Sequence, residues 1–369
     1  MPVMAALAIV AGLLAVAAGP VAAAGTRGFQ IEMGSCVLRG YDFADPTGTQ
    51  LTFSRLDAAG HRLEHAVHLT TGSSFDWSTG CLAGGPVTSG QRLVLKKGTQ
   101  TIRSFVVPPF SVRVERGTDV FRINAPTTGD VHFMLQACFP ATDSHGASLS
   151  CGSFAVDVPH ILMPVDGTFA GSWHGGSSPN PYRARGGDDA TLTLINDATG
   201  DSINALPDVP YLQVERGSAT VTGAARPGST VHVTLRNSHG TTRGTGSATV
   251  HSNGRWSARV RHNGSLVTVR SGDTAKSDVA SNATLRVITP SLHVDLAADT
   301  AHGTCLPKGR YTAIFDDPSG PSQTLRSGDA DSVGAWSATG LNQVQSGWDV
   351  RLWCASRYGD AIFRRLVVP

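Results

Sequence analysis

Serine, histidine and aspartate are plentiful in this chain, and they are the residue types from which hydrolytic sites are assembled. Their spacing matches none of the arrangements that such chemistry needs. There is no Gly-x-Ser-x-Gly elbow, no His-Glu-x-x-His pair, no phosphate-binding P-loop and no Gly-x-Gly-x-x-Gly opening a helix. A glycosidase would set two carboxylates across a cleft, whereas the acids here are scattered among turn-like segments. The 13 histidines include a close group, His61, His65 and His68. On a helix those three would share a face and could bind zinc. Alignment of the internal repeats instead puts Glu64 to Leu69 in a strand, where His65 and His68 point to opposite faces. The pairs Asp188-Asp189, Asp316-Asp317 and Asp329 with Asp331 are candidate calcium ligands at domain ends, since loop carboxylates suit that ion. No EF-hand loop is present, and solvated turn acids are the simpler reading. Neither a catalytic residue nor a bound metal or cofactor is therefore expected.

The elements that carry these residues come in an internal repeat. Trp77, Trp173, Trp256 and Trp336 recur in similar settings, and each is followed about 30 residues later by an apolar stretch ending in proline. Those endings are Val106-Val107-Pro108, Val209-Pro210, Val287-Ile288-Thr289-Pro290 and Val367-Val368-Pro369. Proline fixes φ and cannot donate to a ladder, so it caps a strand and stiffens the link to the next unit. The third unit is the clearest: Thr230-Val-His-Val-Thr-Leu235 alternates as a half-buried strand should, and Val-Glu-Arg-Gly recurs at Val114 to Gly117 and Val214 to Gly217. Short strands with glycine-rich turns and no helical period predict an all-β chain of tandem β-sandwich domains at 25–109, 110–210 (with an insertion), 211–290 and 291–369. A domain of about 80 residues buries little of its surface, and one buried indole contributes at most roughly 4 to 6 kcal/mol. Core anchor is accordingly the reading for the four tryptophans. Trp173, flanked by Gly171, Gly175 and Gly176, is the candidate for an exposed sugar-stacking platform, and Trp353 is read as core.

Residues 1–24 read as a cleaved signal peptide. Ala5 to Ala18 are apolar, Gly19-Pro20 break the run and Ala22-Ala23-Ala24 suit a signal peptidase, although no Lys or Arg precedes the run. Export agrees with six cysteines, an even number. The repeats favour pairing inside units: Cys36 with Cys81, Cys138 with Cys151, and Cys305 with Cys354. No Cys-x-x-Cys appears, so redox or metal chemistry is not expected of them. The third unit has no cysteine and should be the softest. A net charge of +2 argues against nucleic acid or an anionic membrane as partner, and no stretch of the mature chain is expected to span a membrane.

Pro227 to Val233, followed by Ala248-Thr-Val-His-Ser-Asn-Gly-Arg-Trp-Ser257, resembles the bacterial immunoglobulin-like domains found in tandem on secreted and surface proteins. Gly334-Ala-Trp-Ser337 and Phe75-Asp-Trp-Ser78 keep the pattern, and Gly171-Ser-Trp-His174 departs from it. In this comparison Asn253-Gly254 is a hairpin turn, with Trp256 facing the core and Ser257 facing out. The resemblance implies architecture and an extracellular or cell-surface location, and it brings no catalytic residues. The expected role is non-enzymatic: a structural or adhesive surface protein, a self-assembling filament or sheath subunit, or a carbohydrate-binding accessory protein. The partners it would meet are a cell-surface or extracellular matrix component, a glycan, or other copies of itself.

Overall fold

The computed structural model describes residues 27–42, 45–72, 74, 76–138, 151–173, 182–196, 199–320, 322–341 and 343–369, with backbone alone at 151–153. The expected leader 1–24, Phe75, His174, Gly175 and Gly176 lie outside the described residues. Those described form 30 strands and no helix. Alternation drives the strands. In Thr230–Arg236, Val231, Val233 and Leu235 are buried while Thr230 and His232 face out. Gly254 turns the following hairpin at φ +78°, after which Trp256 is buried and Ser257 exposed.

Each repeat lays its strands in two ladders. In the first, Arg27–Glu32, Val37–Asp42 and Asp76–Cys81 form a run of three, and Val67–Thr70, Gln50–Leu56, Arg92–Lys97 and Gln100–Val106 a sheet of four. The last repeat does the same with Ser291–Asp295, Thr300–Thr304 and Ala335–Thr339 against Gln323–Asp329, Arg310–Asp316, Asp349–Ala355 and Ala361–Val367.

The units do not stand apart. The opening strand Arg27–Glu32 of repeat one pairs in parallel with Asp201–Ala205, the closing strand of repeat two, in the register Ile31↔Ile203. Tyr211–Glu215 pairs in the same way with Ala361–Val367, in the register Val214↔Ile362. Each seam merges a three-stranded and a four-stranded ladder into one seven-stranded sheet. The buried apolar residues follow suit: one cluster runs from Phe29 to Val209 and a second from Leu212 to Val368. The chain is therefore built as two wide β-sandwiches of two repeats each. Merging has a physical return, because a strand edge that would otherwise offer unpaired N–H and C=O groups finds a partner within the chain.

A glycine the sequence reading overlooked explains how the tryptophans fit. Trp77, Trp256 and Trp336 stand directly across the ladder from Gly40, Gly223 and Gly303. A Cβ on those glycines would lie 2.7 Å from Trp77 Cε2, 2.7 Å from Trp256 Cζ2 and 3.0 Å from Trp336 Nε1. The indole lies over the bare backbone, so the glycine is a packing requirement of the neighbouring strand. Repeat two departs: Gly171 stands opposite Phe121, and Trp173 packs on Phe121 and Phe133 at centroid distances of 6.1 and 6.2 Å.

Alanine at Gly40 or at Gly223 is expected to lower the unfolding free energy by about 1–3 kcal/mol through this overlap. Guanidinium unfolding followed by tryptophan fluorescence checks it, and unchanged midpoints would show that the indole does not need the bare backbone.

Candidate interaction surface

The cysteines of the outer repeats are joined as Cys36–Cys81 and Cys305–Cys354, with Cα atoms 4.8 and 5.2 Å apart. Cys138 stands opposite Cys151 in an antiparallel ladder, and the Cys151 side chain lies outside the described residues. Trp77, Trp173, Trp256 and Trp336 are all buried. Trp173 differs from its role as a stacking platform: it is 7% exposed, its ring lies against two phenylalanines, and its Nε1 donates to Tyr182 O at 2.8 Å. The indole turns into the core, not toward solvent. Trp353 is buried too, but on the opposite face of its sheet from the main core, in a small cluster with Ile314 and Phe363.

The histidines and acids serve local structure. The strand expected over Glu64 to Leu69 begins only at Val67. Glu64 is instead turned inward, its carboxylate 3.3 Å from the buried Arg55 guanidinium. His65 and His68 are both exposed, and His61 Nδ1 lies 3.1 Å from Asp57. Among the described residues no three metal-ligating side chains come together. Asp316 receives Arg351 at 2.7 and 2.9 Å, Asp317 accepts the Ser319 N–H, and Asp331 accepts the N–H groups of Val333 and Ala335.

The strongest electrostatics lie where the strands of different repeats meet. At each seam a buried aspartate accepts the N–H of the partner repeat's first strand. Asp201 takes Phe29 N at 3.0 Å, and Asp360 takes Leu212 N at 2.9 Å. Each carboxylate also receives an arginine. Arg103, from the first repeat, pairs with Asp201. Arg116, from the second, reaches across to the fourth and donates to both oxygens of Asp360 at 2.6 and 2.7 Å. Arg116 also donates to Asn282 Oδ1 and O in the third repeat, at 2.9 and 2.8 Å, so one guanidinium bridges three repeats, beside the Gly186 N to Tyr358 O bond and the Arg255–Asp208 ion pair. Burial raises the Asp360 carboxyl above its ordinary range, and Arg116 pulls it back.

Two further acids sit beside this junction. Burial pushes Asp208 up to about 8, helped by its hydrogen bond with Asp189 and opposed by Arg255. Burial likewise pushes Asp188 up to about 6, against the hydrogen bonds it accepts from Arg185 N and Tyr182 Oη.

No family model matches the chain, and no curated protein matches it. Among solved structures it is similar to a tetra-tandem repeat in the extending region of a large adhesion protein, at 16% identity and TM-score 0.17, with 93% of this chain and 99% of that one covered. It is also similar to the BSP domain of a biofilm associated protein, at 8% identity and TM-score 0.18, covering 93% and 96%. A third similarity is to the native conformation of E. coli alpha-2-macroglobulin, at 12% identity and TM-score 0.18, covering 94% of this chain and 30% of that one. Likenesses with TM-scores this small carry no weight for fold or function.

Replacing Arg116 by Ala leaves a carboxylate buried without its cation, and a loss of about 3–5 kcal/mol is expected in equilibrium unfolding. The raised acids give a pH dependence of defined sign. Between the ordinary carboxylate range and their own titrations the folded chain holds protons that the unfolded chain has released. Stability present in acid is therefore lost as pH rises through about 6 and about 8. The melting temperature should fall from pH 5 to pH 8.5, and Asp208→Asn should flatten the upper part of that fall.

Proposed function

We propose that this chain is a non-enzymatic, exported structural or adhesive protein, built from four immunoglobulin-like units joined in pairs into a stiff carrier. The observation that carries the reading is the junction: Arg116 ties repeat two to repeats three and four through a buried, bidentate contact with Asp360 and two hydrogen bonds to Asn282. Flexible linkers between domains have few such contacts, and domain motion is the default only where the interface is small. The layering of strands, three and four in repeats one, two and four and three and six in repeat three, supports immunoglobulin-like units. Two disulfides support an oxidising, extracellular setting. Tryptophans, cysteines and most acids are engaged in packing, seams and turns, which leaves presentation of a surface as the task of the molecule.

A second reading, self-assembly into a filament or sheath, is favoured by one observation. Phe154, on the edge strand Cys151–Ile161, is 54% exposed, and Leu162 and Val165 beside it are 90% and 100% exposed. Register irregularities interrupt the pairing of that strand with Asp130–Cys138, and such bulges work against long edge-to-edge pairing.

Small-angle scattering of the chain from Gly25 over a concentration series tests both. A particle of constant radius of gyration that expands in Arg116→Ala is the expected result for a stiff carrier. Growth with concentration would favour assembly, and wild-type scattering like that of freely jointed beads would sink the carrier reading.

A further inference from the structure

Beside the second seam lies a groove of about 610 Å³, formed where two loops of repeat three meet the closing strand of repeat four. Four arginines line it, Arg216, Arg270, Arg364 and Arg365, together with Glu215, although the Arg365 guanidinium lies over the Phe363 ring at 5.6 Å, on the other face of the strand from Arg364. That carboxylate does little to balance them, since Arg365 Nε stands 4.0 Å away and both side chains are largely exposed. Arg216 donates to Thr289 Oγ1 at 3.1 Å, and Arg364 donates to the Pro290 carbonyl, both neutral acceptors. The Arg270 guanidinium has no hydrogen bond or ion pair among the described residues. The crowding is felt electrostatically: burial, and then the charge on Arg216, lower the basicity of Arg364.

The fold does not require these cations, because the molecule builds the same seam twice. Gly34 N donates to Val87 O as Gly217 N donates to Val269 O, and Val87 N donates to Ser35 O as Val269 N donates to Ser218 O. Glu32 lies opposite Asn204 in the first parallel pair as Glu215 lies opposite Phe363 in the second. These matched contacts put Met33, Thr88, Ala205 and Leu206 at the places that Arg216, Arg270, Arg364 and Arg365 hold in the second half. The first seam closes with no cation at any of the four positions. Like charges gathered in excess of anions destabilise a surface, so a cluster the fold can do without is best explained by a ligand.

We propose that this groove binds an anionic polysaccharide, with Arg216, Arg270 and Arg364 receiving its carboxylate or sulfate oxygens. Guanidinium is suited to such planar, multidentate recognition. Among the described residues that line the groove none is aromatic, so a single-stranded nucleic acid would find no stacking platform in its lining. This inference deepens the adhesive reading and rests on it for the extracellular location of the ligand.

The test is calorimetric titration of the intact chain with polygalacturonate, dextran sulfate, neutral dextran and a short DNA duplex. Binding of one or both anionic glycans that weakens about tenfold in the double variant Arg216→Gln/Arg270→Gln, with melting unchanged, is the expected result. Polygalacturonate against dextran sulfate distinguishes carboxylate from sulfate as the recognised group. The proposal is overturned if the double variant binds as tightly as the wild type, if neutral dextran binds equally well, or if the DNA duplex binds more tightly than either glycan. Should the double variant unfold, Arg270→Lys gives the second measurement: it keeps the charge and should retain most of the binding, whereas Arg270→Glu should abolish it. Failure here with unchanged scattering would leave the stiff-carrier reading standing, since neither Arg216 nor Arg270 takes part in the junction at Asp360.

Discussion

The architecture depends on a backbone problem solved twice with an aspartate. A parallel pair of strands from different repeats begins at the seam, and the N–H one residue ahead of that pairing in the incoming strand bonds a carboxylate in place of a ladder carbonyl. Left buried and unpaired, it would cost about 1–3 kcal/mol. Asp201, the first residue of its closing strand, and Asp360, just ahead of its own, accept that N–H from Phe29 and Leu212. A buried carboxylate needs its own compensation, and Arg103 and Arg116 supply it. The sources of the two arginines differ. Arg103 comes from a repeat already in the seam, so the first device closes on itself. Arg116 comes from the other sandwich, so the second device serves as seam and junction at once.

This economy explains why position matters more than residue type among the arginines. Arg116 and Arg216 occupy the same place in their repeats, each in a Val-Glu-Arg-Gly sequence. Arg116 is almost fully buried against Asp360, while Arg216 faces a groove with a threonine for company. The difference lies in what the fold brings opposite each one. The third repeat illustrates the same dependence: it has no cysteine of its own, yet its apolar core is continuous with that of the disulfide-bonded fourth repeat.

Much of this organisation is legible in the residues. Alternation at Thr230 to Leu235, the turn at Asn253-Gly254 and the burial of Trp256 follow from local pattern, because side chains on a strand alternate and only certain residues accept a positive φ. The pairing of Cys36 with Cys81 and of Cys305 with Cys354 follows from the repeat. The segment at Glu64 escapes local pattern because its pull is long-range: a buried Arg55 captures the carboxylate and delays the strand to Val67. Trp173 escapes it for a similar reason, since flanking glycines describe the backbone and say nothing about the two phenylalanines waiting across the sheet. The glycines opposite Trp77, Trp256 and Trp336 do leave a signal, as a lone glycine inside a short strand of each of those repeats.

Sequence alone determined the class of element, the recurrence of the tryptophan setting and the alternation that gives each strand a buried face, because these depend on neighbours within a few positions. Tertiary structure alone decided that the repeats fuse in pairs, that Arg116 crosses to Asp360 and that arginines from three separate segments line one groove. Those outcomes depend on which edges meet in space. Contacts such as Arg116 with Asp360, separated by 244 positions, leave no periodic trace in the chain.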